Sequence, residues 1–378
     1  MIVLFIVLAL VAVYPLAGYP LLVALIARLR PQPVRRAAIT PTVTILIPAY
    51  NEARVIARTI ENKLEQDYPA ELLQIIVVSD CSEDGTDDIV RQYADRGVQL
   101  LRRKVRQGKA AALNEAVTHA RGEIVVFSDG NSVFARDAIR RMVENFADPR
   151  VGYVTGSLQL VQAEEGAVSG GGAYLRYENW LRRIESSAGS IIGVNGGCDA
   201  MRRELYFDVP ADQITDFVLP LRVLQRRLRV IYDELVRATE AANDELGSEF
   251  RMRVRVALRA LRGLWYMRAV LNPFAYPWTA FCILSHKILR YVTFLFLLVA
   301  LLMSAILAPT MPEFRVLLAL QVVFYALAAL GTSSRLPAVL QRLTALPSYF
   351  FISNVAFAVA FARFLRGESL ATWRPRGG

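Results

Sequence analysis

Histidine and cysteine are nearly missing from this chain. Only His119 and His286, and Cys81, Cys198 and Cys282, occur among its 378 residues. Two isolated histidines exclude a histidine-based metal centre. Three scattered cysteines give no zinc-ligand spacing and no disulfide framework, which fits a reducing compartment. Internal repeats are absent, and with them any solenoid. No Walker A loop is present: Gln107-Gly108-Lys109 lacks both the earlier glycine and the Ser/Thr after lysine. What the chain has in quantity is apolar surface. It is 54% hydrophobic, with mean hydropathy +0.33. That is too apolar for an ordinary soluble protein, while 21% charged residues are too many for membrane throughout. One soluble domain plus transmembrane helices is the composition's reading.

Met1 to about Ile26 is an almost uncharged apolar run followed by Arg28, Arg30, Arg35 and Arg36. It is too long for a signal-peptide core and lacks a cleavage site, so a retained helix is expected. Further apolar segments lie at about 291–307, 314–330 and 349–364. They show no paired halves and almost no internal charge, which argues against a transporter. The net charge of +10 comes from arginines beside these segments, the pattern of cytoplasmic retention next to anionic lipid rather than of nucleic-acid binding. Arg28–Arg36 place the soluble domain in the cytoplasm. Three later crossings then put the tail outside, in conflict with Arg363, Arg366, Arg374 and Arg376. Either the last segment is re-entrant or interfacial, or one crossing is miscounted.

Between these ends, strands and helices alternate. Val43–Pro48, Leu73–Ser79, Val98–Leu101 and Glu123–Ser128 are apolar strands. Helical stretches follow at Glu52–Glu65, near Asp84, and at Lys109–Ala120. Such alternation predicts βαβ units and a largely parallel, helix-covered sheet. Beyond Tyr153 the pattern is less regular, with Ser169-Gly170-Gly171-Gly172 and Asn195-Gly196-Gly197 suggesting loops or close backbone approach. In 251–265, Arg251, Arg255, Arg259 and Arg262 share one helical face and Val254, Leu258, Leu261 and Trp265 another, the pattern of a basic amphipathic helix on a membrane surface.

Polar clusters stand at the strand ends, where an α/β sheet gathers ligands. Pro48-Ala49-Tyr50-Asn51-Glu52 reads as a helix start or as a loop holding a base or ribose. In Ser79–Thr86, Asp80 can accept hydrogen bonds from a nucleotide while Asp84 caps the next helix. Lys109, after Gly108 at a helix start, suits phosphate or open solvent equally. Asp129, beside Gly130 and Asn131, has the surroundings a divalent ion shared with a diphosphate needs. Asp216, flanked by apolar residues, is either a helix N-cap or a general base.

Taken together, these segments resemble the family 2 glycosyltransferases, specifically the membrane-embedded group that includes the synthases of cellulose, chitin, hyaluronan and poly-N-acetylglucosamine. The resemblance rests on PAYNE at 48–52, SDCSEDGT at 79–86, GKAAALNEA at 108–116, FSDGN at 127–131 and TDF at 215–217. It implies a GT-A fold and inverting transfer from a nucleotide-activated sugar, usually UDP-linked, to a hydroxyl of a glycan or lipid-linked acceptor, as in exopolysaccharide synthesis. It also implies Pro48, Tyr50, Glu52, Asp80, Lys109, Ser128, Asp129 and Gly130 around the nucleotide sugar, with Asp80 on the uridine. Asp129 and Asn131 would hold Mg²⁺ or Mn²⁺, Asp216 would be the base, and Asn195, Gly196 and Gly197 would line the acceptor site. Two departures stand out. Asn131 replaces the second acid of D-x-D, and Phe250-Arg251-Met252-Arg253-Val254 lacks the Gln and Trp of the processive Q-x-x-R-W motif. Arg253 pairs with the leaving diphosphate or belongs simply to the basic helix. A non-catalytic membrane partner of a secretion complex is the rival reading, disfavoured by the retained acids.

The expected organisation is a transmembrane helix at 1–28, a cytoplasmic GT-A domain at 29–250, amphipathic interfacial helices at 251–288, a transmembrane region at 289–365 and a basic tail at 366–378. The expected setting is a bacterial inner membrane, with membrane lipid as a partner.

Overall fold

The computed structural model describes residues 1–161, 170–241, 246–331 and 338–368. Ser169 and the tail arginines Arg374 and Arg376 lie outside the described residues. Eight strands form one sheet: β1 (Val43–Ala49), β2 (Leu73–Ser79), β3 (Val98–Arg102), β4 (Ile124–Ser128), β5 (Val133–Phe134), β6 (Val151–Val161), β7 (Cys198–Arg202) and β8 (Arg229–Ala241). Their order is β3-β2-β1-β4-β7-β6-β8-β5. The four strands legible in the sequence are mutually parallel, and β7 joins antiparallel to both β4 and β6.

The helices are α1 (Ile2–Val13), α2 (Gly18–Leu29), α3 (Ile56–Leu64), α4 (Thr86–Arg91), α5 (Lys109–Thr118), α6 (Ala138–Glu144), α7 (Gly170–Ala188), α8 (Thr215–Gln225), α9 (Leu246–Tyr266), α10 (Pro277–Cys282), α11 (Leu289–Leu307), α12 (Pro312–Leu330) and α13 (Ala338–Leu365). Successive side chains of a strand point to opposite faces. Accordingly Leu46, Ile76, Val78, Val125 and Phe127 enter one core with α5 and α8. Their neighbours Ile45, Ile47, Ile75, Val77 and Val126 enter a second core with α3, α4 and α6. Each fully buried Ile or Val contributes about 1.5–3 kcal/mol. With apolar side chains required on both faces, these strands have no polar side to turn toward water. The chain leaves β1 for β2 on one side, while β4 flanks β1 on the other. This is a topological switch point, and the crevice opens between the ends of β1 and β4.

The N-terminal segment departs from the expected single helix. α1 and α2 are bent by 59°. Pro15 lies at the break and cannot donate the N–H that a continuous helix requires. Among the described residues, three helical segments, Pro277–Leu307, Pro312–Leu330 and Leu343–Leu365, are long and apolar enough to cross a membrane, or four if the bent pair counts as one span.

The arginine face of α9 is also placed differently from expectation. Arg255 and Arg259 look into a cavity at the edge of the sheet domain, and Arg262 donates to Asp212 at 3.1 Å. On the apolar face, Val254 and Leu258 pack on Ala356 and Ala360 of α13, while Trp265 stays exposed. Protein therefore covers most of the stripe assigned to lipid headgroups. α13 follows α9 along its length: Arg253 reaches Ser353, and nine residues on Arg262 holds the backbone carbonyls of Gly367 and Glu368. The chain just beyond the far end of α13 is thus tied to α9. Its ring contacts with the α11–α12 hairpin, Tyr291–Phe357, Phe294–Phe361, Phe324–Phe350 and Tyr325–Phe351, fall at the first turns of α11 and the last turns of α12.

Candidate active site

The loop after β1 and the loop after β2 are knitted together beside the crevice. Asn51 N–H donates to Ser82 Oγ at 3.1 Å, and its Oδ1 accepts from Glu83 N–H at 2.9 Å. Glu52 N–H donates to Thr86 Oγ1 at 2.8 Å. Pro48 and Ala49 end β1 and α3 begins only at Ile56, so Tyr50–Glu52 is a loop at the carboxyl edge of the sheet rather than a helix start. Tyr50 is stacked under the Arg106 guanidinium, 3.6 Å from the ring centroid.

Asp80 is fully buried. Its carboxylate accepts from Arg103 Nη1 at 2.9 Å and from the backbone N–H groups of Gln107 and Gly108 at 3.1 and 2.7 Å. It does not line the cavity; it pins the turn that delivers Lys109. Asp84 accepts from Thr86 N–H at 3.1 Å, but Gly85 is the N-cap residue of α4 and no side chain caps that helix, so Asp84 braces its start from one residue outside rather than capping it.

The cavity has a volume of about 190 Å³ and gathers residues far apart in the chain, from Pro48 to Arg259. Pro48, Glu52, Lys109, Asp129, Gly130, Asn131 and Asp216 all line it, as the sequence suggested. Gln213, Glu240, Arg255 and Arg259 line it too, and no motif announced them. Ser128 is buried behind the wall, its hydroxyl on the Asp129 carbonyl. Arg253 is absent from this lining: it points to the opposite side of α9, where it meets Ser353 and Tyr349. Arg255 and Arg259 line the cavity instead. The reason is helical geometry, since residues two apart face opposite ways.

Lys109 is the centre of the arrangement. Its Nζ donates to Asp129 Oδ1 at 2.6 Å and to Asp216 Oδ2 at 3.4 Å. Burial opposes its charge, but the two carboxylates outweigh burial and hold the ammonium well above the ordinary lysine range. Asp216 lies in the first turn of α8, yet Ile214 is the N-cap residue and no side chain caps that helix. The carboxylate is therefore turned to the cavity. The Asn195–Gly197 loop passes against it. Gly196 has φ +77°, and a Cβ there would lie 2.7 Å from Asp216 Oδ2. Gly197 has φ +72°, and its Cβ would lie 2.6 Å from Glu240 Oε1. Both positions demand glycine for backbone conformation and for space. Asn195 is held below by the Gly156 carbonyl at 3.1 Å.

Other acids sense the same field. Glu52 lies against Gly130, and burial, helped by Asp129, Asp84 and Glu240, pushes its carboxyl up to about 7. Asp199, fully buried on β7, is pushed up to about 7 by burial and then by Asp216. Beneath the β4 loop, Lys63 donates to the Ser132 carbonyl at 2.7 Å, and burial brings its pKa down to about 7.

Asp129 and Asn131 line the cavity and bring one carboxylate, shared with Lys109, and one amide. Oxygen donors of this kind suit Mg²⁺ or Mn²⁺, which usually complete their shells with substrate phosphate and water. Among the described residues, no group of three or more His, Cys, Asp or Glu could hold a metal alone. The donor set fits an ion that arrives with a diphosphate.

Known proteins share this fold. Residues 44–208 match the description Glycosyl transferase family 2. The poly-beta-1,6-N-acetyl-D-glucosamine synthase of Staphylococcus aureus (strain COL) is 27% identical over 224 residues, which is 57% of this chain and 53% of that protein. The corresponding synthase of Staphylococcus epidermidis is 26% identical over an equal stretch. The chain thus spans about half the length of the curated relatives it matches. Among solved structures, the mannosyltransferase PcManGT from Pyrobaculum calidifontis, in complex with GDP-Man and Mn²⁺, is 27% identical with a TM-score of 0.73, covering 97% of this chain and 99% of that one. The chain is accordingly a distant relative of these glycosyltransferases, with a glycosyl transferase family 2 domain of GT-A-like fold at 44–208 and three long apolar helices toward its C-terminal end.

Proposed function

We propose that the protein transfers a sugar from a nucleotide diphosphate donor to an acceptor hydroxyl by a single inverting displacement on the cytoplasmic face of a membrane. The observation that carries this reading is the Lys109 ammonium bridging Asp129 and Asp216 across a cavity faced by Arg255 and Arg259. Cations on two sides suit a diphosphate, and a carboxylate at the edge suits removal of a proton from the acceptor. Asp216 takes the hydroxyl proton as the acceptor oxygen attacks the anomeric carbon. Lys109 holds that carboxylate in place, and Arg255 and Arg259 face the departing nucleotide. A divalent ion held by Asp129 and Asn131 would supply Lewis-acid neutralisation of the diphosphate when bound. Asp80 acts at one remove, by fixing the Gly108–Lys109 turn.

The likeness to a mannosyltransferase along nearly the whole of both chains supports single-sugar transfer. So does the described cavity lining, which carries no aromatic ring on which a growing polymer could stack. The partial match to polymer synthases supports the alternative of glycan elongation. For the donor, those relatives support a nucleotide-activated N-acetylglucosamine and the mannosyltransferase supports GDP-mannose.

Two crossings, α11 and α12, return the chain to the catalytic side, and α13 lies along the interface beside α9. The tie from Arg262 to Gly367 and Glu368 supports this arrangement, which also leaves Arg363 and Arg366 on the cytoplasmic side. The test is a panel of UDP- and GDP-sugars with Mg²⁺ or Mn²⁺ and membrane extract, read by nucleotide release and product size. Release from one donor with a product of one added sugar is expected. Release from none removes the proposal.

A further inference from the structure

On the other side of α9 lies a second, larger cavity of about 340 Å³. Leu16, Tyr349, Phe350 and Phe357 form apolar walls, and Arg253 and Arg290 join the lining from two different helices. Arg253 Nη1 donates to Ser353 Oγ at 2.7 Å, and its guanidinium lies 4.0 Å from the Tyr349 ring centroid. Arg290 belongs to the apolar 277–307 segment and pairs with Glu178, itself buried on α7. A guanidinium stays charged in any surroundings, and a charge placed at the margin of the bilayer marks a functional site. An apolar chamber faced by two such charges matches an amphiphile, with anionic oxygens at one end and hydrocarbon at the other. The exposed side chains of Leu16 and Leu346 at the rim give the hydrocarbon a way out to the bilayer.

We propose that this chamber binds one anionic membrane phospholipid, its phosphate on Arg253 and Arg290 and the start of an acyl chain along Phe350 and Phe357. The site rests on α11 and α12 being membrane helices, but not on the donor or the chemistry. The lipid is not the sugar acceptor, because α9 stands between it and Asp216: Arg255 and Arg259 face the catalytic cavity while Arg253 faces the lipid. Its effect passes through that helix. A lipid that fixes the position of Arg253 fixes Arg255 and Arg259 on the opposite face, so donor binding becomes lipid-dependent.

The experiment uses the purified, delipidated full chain in zwitterionic detergent. Phosphatidylglycerol, phosphatidylcholine and soluble glycerol 3-phosphate are each added, with retention read by native mass spectrometry and Tm by intrinsic fluorescence. About one phosphatidylglycerol per chain should be retained, with a Tm rise of several degrees that the other two do not produce. Arg253→Gln should weaken retention at least tenfold. Thr293→Phe, which fills the chamber and keeps both arginines, should do the same. Equal stabilisation by phosphatidylcholine would reduce the site to general lipid contact. Equal stabilisation by glycerol 3-phosphate would make it a soluble-anion site. Consumption of the retained lipid on adding a sugar donor would make it the acceptor. Each of these overturns the proposal. Because retention is read without turnover, its failure is distinct from a failure of the transferase reading.

Discussion

Replacing Asp216 by Asn removes the proposed base while keeping its shape. The charged partner at 3.4 Å from Lys109 becomes a neutral amide, whereas the stronger 2.6 Å bond from Lys109 to Asp129 remains. The cation that faces the diphosphate therefore stays anchored, and the cavity carries one negative charge fewer. Nucleotide affinity should stay within about threefold or rise slightly, since a phosphate meets less repulsion. Loss of a carboxylate from the first turn of α8 should cost about 0.3–1 kcal/mol of stability. Loss of a general base costs about 10²–10⁴ in rate, roughly 3–5 kcal/mol of barrier. Steady-state nucleotide release, calorimetric nucleotide binding and Tm, measured on the same preparation, separate these three effects. Turnover within tenfold of the parent protein would refute the assignment of the base. So would a fall in nucleotide affinity as large as the fall in turnover, because the residue would then hold donor rather than move a proton.

Three further substitutions probe neighbouring groups. Arg259→Ala removes a guanidinium that lines the cavity and also donates to the Gln213 carbonyl, so the donor KM should rise about tenfold or more, read from donor saturation curves. Gly196→Ala places a Cβ 2.7 Å from Asp216 Oδ2 in a left-handed backbone costing about 1–2 kcal/mol, and kcat should fall at least tenfold with a Tm loss of a few degrees. Asp199 has its folded-state pKa raised to about 7, so the native protein holds a proton that the unfolded chain releases near 4. Stability from this group therefore falls as pH rises from about 4 to about 7 and is lowest above that. Asp199→Asn should accordingly stabilise more at pH 8 than at pH 5, by on the order of 1–3 kcal/mol, and equal Tm shifts at the two pH values would contradict this.

What could be read from the sequence was what local chemistry dictates. β1 to β4 are runs of apolar residues with polar punctuation, and each reads alone because both of its faces are buried. Asp129, Lys109 and Asp216 stand at strand or helix ends, where a motif and its place in the fold coincide. Glu240 was not legible, because it comes from the far end of β8 and reaches the cavity only through the sheet's non-sequential order. Four of the five arginines of α9, Arg251, Arg255, Arg259 and Arg262, fall on one face by helical period, but periodicity does not say what covers a face. Lipid was expected there, and the catalytic cavity and Asp212 are what it meets. The bend at Pro15 had its signal in the chain, outweighed by unbroken hydropathy. β6, β7 and β8 escaped notice because their pairing partners are distant in sequence, so no local period announces them.

The central claim is a single displacement assisted by one carboxylate. Proton NMR of the transferred sugar, taken early in the reaction before any anomeric equilibration, tests it most directly. The predicted result is a new linkage with the anomeric configuration opposite to that of the donor, formed by the parent protein and not by Asp216→Asn. A product that retains the donor's configuration would contradict it, because retention calls for a second displacement or a covalent nucleophile in place of a general base.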